Sequence, residues 1–196
     1  MKERPILFSG PMVRAILEGR KTQTRRIAKG ISIITGDDRS GATDDRCPYG
    51  VPGDLLWVRE AWSTDPCYDH IMPSRLRTEW PVYYDSGPGL VITLGFHRVR
   101  PSIHMPRWAS RLTLNVTGVK VERLNEISEQ DARAEGVPQD TYPCDHSRRT
   151  CDEVGCLGPT YRSSFAALWD ELHGAGAWDA NPWVWVVEFK RVEAGS

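Results

Sequence analysis

The residues best suited to chemistry lie in one short stretch, residues 11–26, with the sequence PMVRAILEGRKTQTRR. It carries five cations and two threonine hydroxyls, groups that hold anions by charge and by hydrogen bonding. Because side chains alternate along an extended segment, Lys21 would lie on the same side as Gln23 and Arg25. The stretch is therefore either an anion or nucleotide site or a solvated basic turn, and its residues favour neither.

A helix and a strand must position these groups. Pro11 suits the first helical position, since its missing N–H would lack a partner there anyway. Four apolar side chains then share one helical face: Met12, Val13, Ile16 and Leu17. Gly19 suits the left-handed conformation that ends a helix, so the cations that follow it begin a strand.

The composition is that of an ordinary globular protein, with 40% hydrophobic and 26% charged residues among 196. The net charge of −1 excludes a strong overall field for nucleic acid, but the charge is unevenly distributed. Residues 1–29 hold eight cations and two anions, a balance of +6 that leaves −7 for the remainder. A local basic patch of this kind can bind phosphate even when the net charge is close to zero.

Two absences in the sequence bear on its location. There is no apolar run long enough to span a bilayer, and no signal-peptide core precedes Gly10. We therefore expect a cytoplasmic protein, in which the five cysteines are free or metal-bound rather than paired in disulfides.

Strand patterns outnumber helical ones along the rest of the chain. Strands are predicted over residues 55–62, 110–124 and 181–192, the first of them central because both its faces begin apolar. Helices are predicted from Ser128 to Gly136 and from Thr160 to Gly174. The strand pairs lack βαβ spacing, which favours an α+β fold with a mostly antiparallel sheet or small barrel.

Several sequence blocks together resemble one family. GRKTQTRR at residues 19–26 resembles the GxKxxxxR signature of the ASCH domain, which belongs to the PUA-like superfamily. Further similar blocks are residues 53–58, 112–136 and 185–190, and HMPRWASR at 104–111 is similar to longer ASCH proteins of phages and prophages. The resemblance implies a single domain over residues 1–196, a mostly antiparallel β-barrel with a few peripheral helices. Relative to the smallest members, insertions fall at about 30–50, 63–109 and 138–160.

The resemblance also implies a basic cleft for RNA or a modified nucleoside. Small bacterial members are amidohydrolases that remove the acetyl group of N4-acetylcytidine, and their catalytic set falls here on Lys21, Thr24 and Glu135. A threonine hydroxyl needs a base, and a lysine can be that base if burial and nearby cations lower its pKa, although a neighbouring glutamate would raise it. A non-catalytic nucleic-acid-binding module and a ribonuclease acting on single-stranded RNA are the alternatives.

Other side chains are candidates for binding the nucleic acid or nucleotide. They are the cations and aromatic residues Arg20, Arg25, Arg26, Trp57, Arg59, Arg107 and Trp108. Bases are often held by stacking on aromatic rings, but tryptophans at alternating strand positions, such as Trp57 and Trp185, are more often core residues. Arg59 and Glu60 lie on a strand whose other residues are predicted to be buried. Because a buried charge needs a partner, they either pair with each other or line the cleft.

A cysteine- and histidine-containing pattern lies in the polar segment after residue 137. Cys144, His146, Cys151 and Cys156 form C-x-H-x₄-C-x₄-C, and four such ligands satisfy a tetrahedral structural zinc site. The spacing matches no common ligand pattern closely, so a loop with free thiols is the alternative.

Overall fold

A computed structural model describes residues 1–29, 47–85, 98–139, 156 and 158–192. The strands are β1 (Glu3–Leu7), β2 (Gln23–Ile27), β3 (Leu55–Arg59), β4 (Trp62–Ser63), β5 (Tyr83–Tyr84), β6 (Thr113–Arg123) and β7 (Trp183–Arg191). The α-helices are α1 (Gly10–Leu17), α2 (Glu129–Ala134) and α3 (Tyr161–His173). Short 3₁₀ turns cover Pro66–Tyr68, Pro73–Arg75, Ser102–His104, Arg107–Ala109 and Leu124–Glu126. In the described part of the chain, no helix has the length and apolar character needed to cross a bilayer.

The main sheet has five strands in the order β1-β3-β6-β7-β2, and β4 pairs with β5 in a separate ribbon. β3 and β6 are antiparallel, as are β2 and β7, whereas β1 and β3 are parallel. These pairings confirm the α+β class with a mostly antiparallel sheet, and β3 is an interior strand as predicted. Among the described strands β1 and β2 are edges, so the sheet is open where the resemblance implied a closed barrel.

The described residues fall into two compact units. The first unit contains residues 1–18, 48–85, 98–117 and 189–192, and the second contains residues 19–29, 47, 118–139, 156 and 158–188. The boundary at residue 18 divides the basic stretch. α1 belongs to the first unit, and the cations after Gly19 belong to the second.

The helices of the second unit begin and end where their capping residues predict. Ser128 accepts a hydrogen bond from the backbone N–H of Asp131, and Gly136 ends α2 with a φ of +83°. Thr160 forms a reciprocal capping box with Ser163 at the start of α3.

The core of the second unit forms between the two helices and the sheet. It is made of Leu124, Ile127, Ala132, Val137, Phe165, Trp169, Val184 and Val186. Phe165 and Trp169 confirm the predicted apolar face of α3. Leu172, predicted on the same face, is 53% exposed because it lies in the last turn, at the helix end.

The first unit departs from the sequence pattern after Arg59. The predicted strand over residues 55–62 breaks there, and Trp62 begins β4 instead. Trp62 is fully buried, with Leu76, Met105 and Ala109, in a small separate core. The stretch from residue 63 to 81, which looked irregular in the sequence, thus supplies apolar side chains to a core of its own.

Candidate functional site

The basic segment of the second unit runs along the carboxyl end of α2. Four donors reach carbonyl oxygens there: Arg20 Nη1 to Gly136 (2.8 Å), Lys21 Nζ to Glu135 (2.9 Å), Thr22 N to Ala134 (2.9 Å) and Gln23 Nε2 to Asp131 (2.7 Å). The last carbonyls of a helix lack partners within the helix and carry a partial negative charge. Arg20, Lys21 and the Thr22 amide therefore provide donors to carbonyls at the helix end, and Gln23 adds a second donor to the Asp131 carbonyl, which already accepts from the backbone N–H of Glu135.

Lys21 and Glu135 form the central contact of the site. Lys21 Nζ donates to Glu135 Oε2 at 2.7 Å, in addition to its bond to the backbone carbonyl of the same residue. Their side chains are 1% and 4% exposed, so the ion pair is almost completely withdrawn from water. Two of the three residues that the resemblance assigned to catalysis are thus in direct contact, across 114 positions of sequence.

Arg25 holds the same carboxylate from the other side. Its Nη1 lies 3.1 Å from Glu135 Oε1, while Nε and Nη2 donate to Glu122 Oε1 at 3.0 and 2.6 Å. Nη2 also lies 3.5 Å from Asp131 Oδ2, and the Arg25 side chain is 0% exposed. We call Lys21, Arg25, Glu122, Asp131 and Glu135 the charge cluster. Within the charge cluster, Glu135 Oε2 accepts from Lys21 and Glu135 Oε1 accepts from Arg25.

Burial changes the acid–base character of the cluster. It lowers the pKa of Lys21, and although Glu135 raises that pKa, the charges of Arg26 and Arg25 lower it further, so the net shift is downward. Burial raises the pKa of Asp131, but the hydrogen bond with Ser128 and the charge of Arg25 outweigh it and leave that pKa below its ordinary value. The lysine therefore gives up its proton more readily than a lysine in water.

The remaining signature residues lie on opposite faces of β2. Lys21, Gln23 and Arg25 all reach α2 residues or Glu135, which confirms the predicted shared side. Thr24 is buried, pairs in register with Val187, and lies on the opposite face of β2 from Arg25. Its assignment to catalysis stays a prediction.

Arg26 occupies the same face of β2 as Thr24 and is half-buried. The charge of Arg26 contributes to lowering the pKa of Lys21. Burial lowers the pKa of His173 at the end of α3, and the charge of Arg26 lowers it further. His173 also packs against Trp169, with ring centroids 4.3 Å apart. Arg26 thus places a further positive charge close to the lysine.

In the first unit, Trp57 is the centre of a group of cations. The guanidinium carbon of Arg59 lies 4.6 Å from the ring centroid, and that of Arg107 lies 6.0 Å away. Arg107 also forms two hydrogen bonds with Glu3, at 2.9 and 3.2 Å. Trp57 itself is 8% exposed, so its described contacts are those of a buried ring covered by arginines. A base-stacking role for it stays a prediction.

Trp108 packs against the small core of the first unit, and Glu60 is a buried carboxylate of the same unit. Trp108 is half-buried and meets Trp62 edge-on, with centroids 6.4 Å apart. Glu60, 1% exposed, accepts two hydrogen bonds from Arg111 at 2.9 and 3.0 Å. Arg111 in turn lies over the ring of Tyr84, at 4.1 Å. Arg111 therefore compensates the buried charge of Glu60. The local pattern of residues 59–60 did not indicate this partner.

Sequence reasoning did not anticipate Glu122 and Asp131 as partners of Arg25. A signal was present, because residues 122–135 hold five carboxylates and the segment from 20 to 26 holds four cations. Complementary charge between two segments predicts attraction, although it does not say which side chains meet.

Three of the four predicted zinc ligands, Cys144, His146 and Cys151, lie outside the described residues. Cys156 is half-buried, and its Sγ accepts a hydrogen bond from the backbone N–H of Gly158 at 3.3 Å. Among the described residues, no group of three or more histidine, cysteine or carboxylate side chains could hold a metal ion. The zinc site stays a prediction.

Comparison with known proteins adds only distant likenesses. No family model and no curated protein matches this chain. Among solved structures, it is similar to protein EF3133 of the DUF984 family from Enterococcus faecalis V583, with 12% identity and a TM-score of 0.41 over 98% of this chain and 81% of that one. It is also similar to an ASCH domain from Lactobacillus crispatus JV V101, with 14% identity and a TM-score of 0.37 over 97% and 79% of the two chains. These likenesses are too distant to transfer an activity or a residue role.

Proposed function

We propose that this protein binds RNA or a modified nucleoside beside Lys21 and hydrolyses N4-acylcytidine-type amides. The observation that carries the proposal is the buried contact between Lys21 and Glu135, in which the pKa of the lysine is lowered. Strongly perturbed ionisable groups with a specific partner occur more often at functional sites than elsewhere. The substrate class comes from the resemblance of residues 19–26 to the ASCH signature.

Amide hydrolysis needs a group that accepts a proton and then returns it. In this proposal the neutral Lys21 amine takes the proton of the attacking hydroxyl or water as the new C–O bond forms. The resulting ammonium then gives a proton to the N4 nitrogen as the C–N bond breaks, so the overall products are cytidine and a carboxylic acid. Glu135 orients the amine through Oε2, and Arg25 is a positioning residue that holds Oε1 of the same carboxylate.

The nucleophile is either the Thr24 hydroxyl or a water molecule. The resemblance favours Thr24, which would form an acyl-enzyme intermediate that water then hydrolyses. Its position on the face of β2 opposite Arg25 favours direct attack by water. Thr24→Val distinguishes the two, because turnover should persist in this variant only if water is the nucleophile.

The direct test is incubation with N4-acetylcytidine, with cytidine release followed by chromatography. We expect the wild-type protein to turn over and Lys21→Met to lose about 100-fold or more, the range for a general acid–base group. Lys29→Met is the matched control, since Lys29 is an exposed lysine just after β2. Absence of turnover above the Lys21→Met level would overturn the proposal, provided that thermal melting shows both proteins folded.

A non-catalytic nucleic-acid-binding module is the second candidate, favoured by the two arginines around Trp57. It predicts that single-stranded RNA binds without turnover of N4-acetylcytidine and that its affinity falls steeply as salt is raised. Arg59→Gln should then weaken binding. Gel analysis of the RNA after incubation separates this candidate from a ribonuclease, because only a nuclease shortens the strand.

A further inference from the structure

The first unit contains a pocket of about 460 Å³, and the predicted site residues that the structure describes do not line it. Its walls come from the segment that begins at the first 3₁₀ turn, Pro66–Tyr68, and continues past the second, Pro73–Arg75. The lining residues are His70, Ile71, Met72, Arg75, Arg77 and Trp80. Its volume falls in the range of sites that hold one small molecule.

Two cations of this pocket lack the partners that arginines elsewhere in the molecule have. Arg75 and Arg77 are both exposed, and neither forms an ion pair with a carboxylate in the described part of the chain. Arg25, Arg107 and Arg111, by contrast, each bind a glutamate. A guanidinium offers a planar fork of donors that matches a phosphate, so a pair of them in one pocket favours a phosphorylated ligand.

The carboxylates close to these arginines in sequence do not line the pocket. Asp69 accepts a hydrogen bond from the backbone N–H of Arg98, at 3.3 Å, and Glu79 accepts one from Thr78, at 3.4 Å. No carboxylate is among the described residues that line the pocket, and the charged side chains among them are the two arginines. An anionic group entering it therefore meets attraction without a competing negative charge on the wall.

The pocket also has a fixed aromatic wall. Trp80 stacks on Tyr68, with ring centroids 3.9 Å apart and planes 4° from parallel. Both rings pack against the small core around Trp62 and Met105, which holds the stack in place. A preorganised indole can accept a planar ring by stacking, and Ile71 and Met72 add apolar surface beside it.

We propose that this pocket binds a nucleotide, with the base against Trp80 and the phosphate at Arg75 and Arg77. One pocket thus brings together a rigid aromatic surface, apolar side chains and two guanidinium groups without carboxylate partners. The nucleotide is either a free monophosphate or one unit of a single strand, since both present the same base and phosphate. The site lies wholly within the first unit, so it does not depend on the proposed role of Lys21 in the second.

The test measures binding of two probes to the full chain: cytidine monophosphate by calorimetry, and a fluorescein-labelled ten-nucleotide single-stranded RNA by anisotropy. Because hydrogen bonds from a guanidinium to a phosphate are charge-assisted and stronger than neutral ones, Arg75→Gln with Arg77→Gln should weaken binding about tenfold or more. Arg191→Gln is the matched control, because Arg191 is an exposed arginine of the same unit that lies outside the pocket. It should leave the affinity unchanged.

Trp80→Phe tests the stacking surface with less disturbance of the Tyr68 contact than Trp80→Ala, and it should weaken both probes about threefold to tenfold. Equal binding of monophosphate and strand identifies a mononucleotide site, and much tighter binding of the strand identifies a strand site. Failure of both probes to bind would overturn the proposal. So would unchanged affinity in the arginine double variant, or displacement of the monophosphate by an equal concentration of inorganic phosphate. Turnover of N4-acetylcytidine is a separate readout, so either proposal can fail while the other stands.

Discussion

The two units hold arginine–glutamate pairs of similar geometry in opposite environments. In the second unit, Arg25 is 0% exposed and lies 2.6 Å from Glu122. In the first unit, Arg107 and Glu3 are 42% and 44% exposed and lie 2.9 Å apart. Exposed pairs contribute about 0–1 kcal/mol, whereas loss of one partner of a buried pair costs about 3–5 kcal/mol. The contribution of each pair to the free energy of unfolding therefore depends more on burial than on the distance between its charges.

The same difference separates the chemistry that each unit can supply. The hydrogen bond from Arg107 lowers the pKa of Glu3, and the same bond raises the pKa of Arg107, so both remain charged at neutral pH. In the second unit, burial lowers the pKa of Lys21 despite Glu135. The exposed pair of the first unit thus keeps its charges, whereas burial in the second unit makes the lysine easier to deprotonate.

Replacement of Arg25 should have the largest effect on stability. Arg25→Met leaves Glu122 and Glu135 without their shared guanidinium, so we expect the free energy of unfolding to fall by about 3–5 kcal/mol. Urea denaturation measures this, with Arg107→Met as the exposed counterpart in the same assay. Equal losses in the two variants would show that burial does not distinguish the pairs.

An intermediate effect is expected at Glu60. Glu60→Gln weakens a two-point contact with Arg111, whose side chain is still 26% exposed and can turn toward water. We expect a loss of about 1–3 kcal/mol in the same denaturation experiment. A loss as large as that of Arg25→Met would mean that the first unit also depends on a fully buried charge.

The pH dependence of stability should depend on Asp131. Its folded pKa lies below the ordinary value, so its contribution is present above about pH 3.9 and is lost as the pH falls through the folded pKa. Asp131→Asn should therefore reduce the loss of stability between pH 7 and pH 3, as measured by urea midpoints at the two values. Identical midpoint shifts in wild type and variant would contradict this assignment.

The smallest effect is expected at the exposed pair. Arg107→Ala removes the contact with Glu3, and we expect the free energy of unfolding to fall by less than about 1 kcal/mol. Addition of 1 M salt should reduce the difference between wild type and variant, because exposed charges are screened. A large loss that is insensitive to salt would point to packing of Arg107 on Trp57 instead.

Local signals predicted the elements that hold the site better than they predicted the contacts within it. Ser128 and Gly136 delimit α2 as their residue types indicate, and strand alternation places Gln23 and Arg25 together. The contact of Arg25 with Glu122 spans 97 positions, which no local pattern encodes. The contact of Lys21 with Glu135 was anticipated through family resemblance rather than through spacing.

Tertiary packing accounts for the remaining differences. The strand beginning at Leu55 ends at Arg59, beyond which Trp62 packs into a separate small core and Glu60 pairs with Arg111. The pocket beside Trp80 lies in a segment with no periodicity, so its aromatic stack could be recognised only once Tyr68 was seen against it.

Burial lowers the pKa of Lys21, and a titration can measure that shift directly. The chain has only five lysines, so ¹³C or ¹⁵N NMR of labelled lysine side chains can follow each one through a pH titration. Comparison with Lys21→Arg identifies the Lys21 signal. We expect a pKa for Lys21 below the ordinary lysine value of about 10.4. A pKa for Lys21 at or above about 10.4 would show that Glu135 outweighs burial and would contradict this expectation.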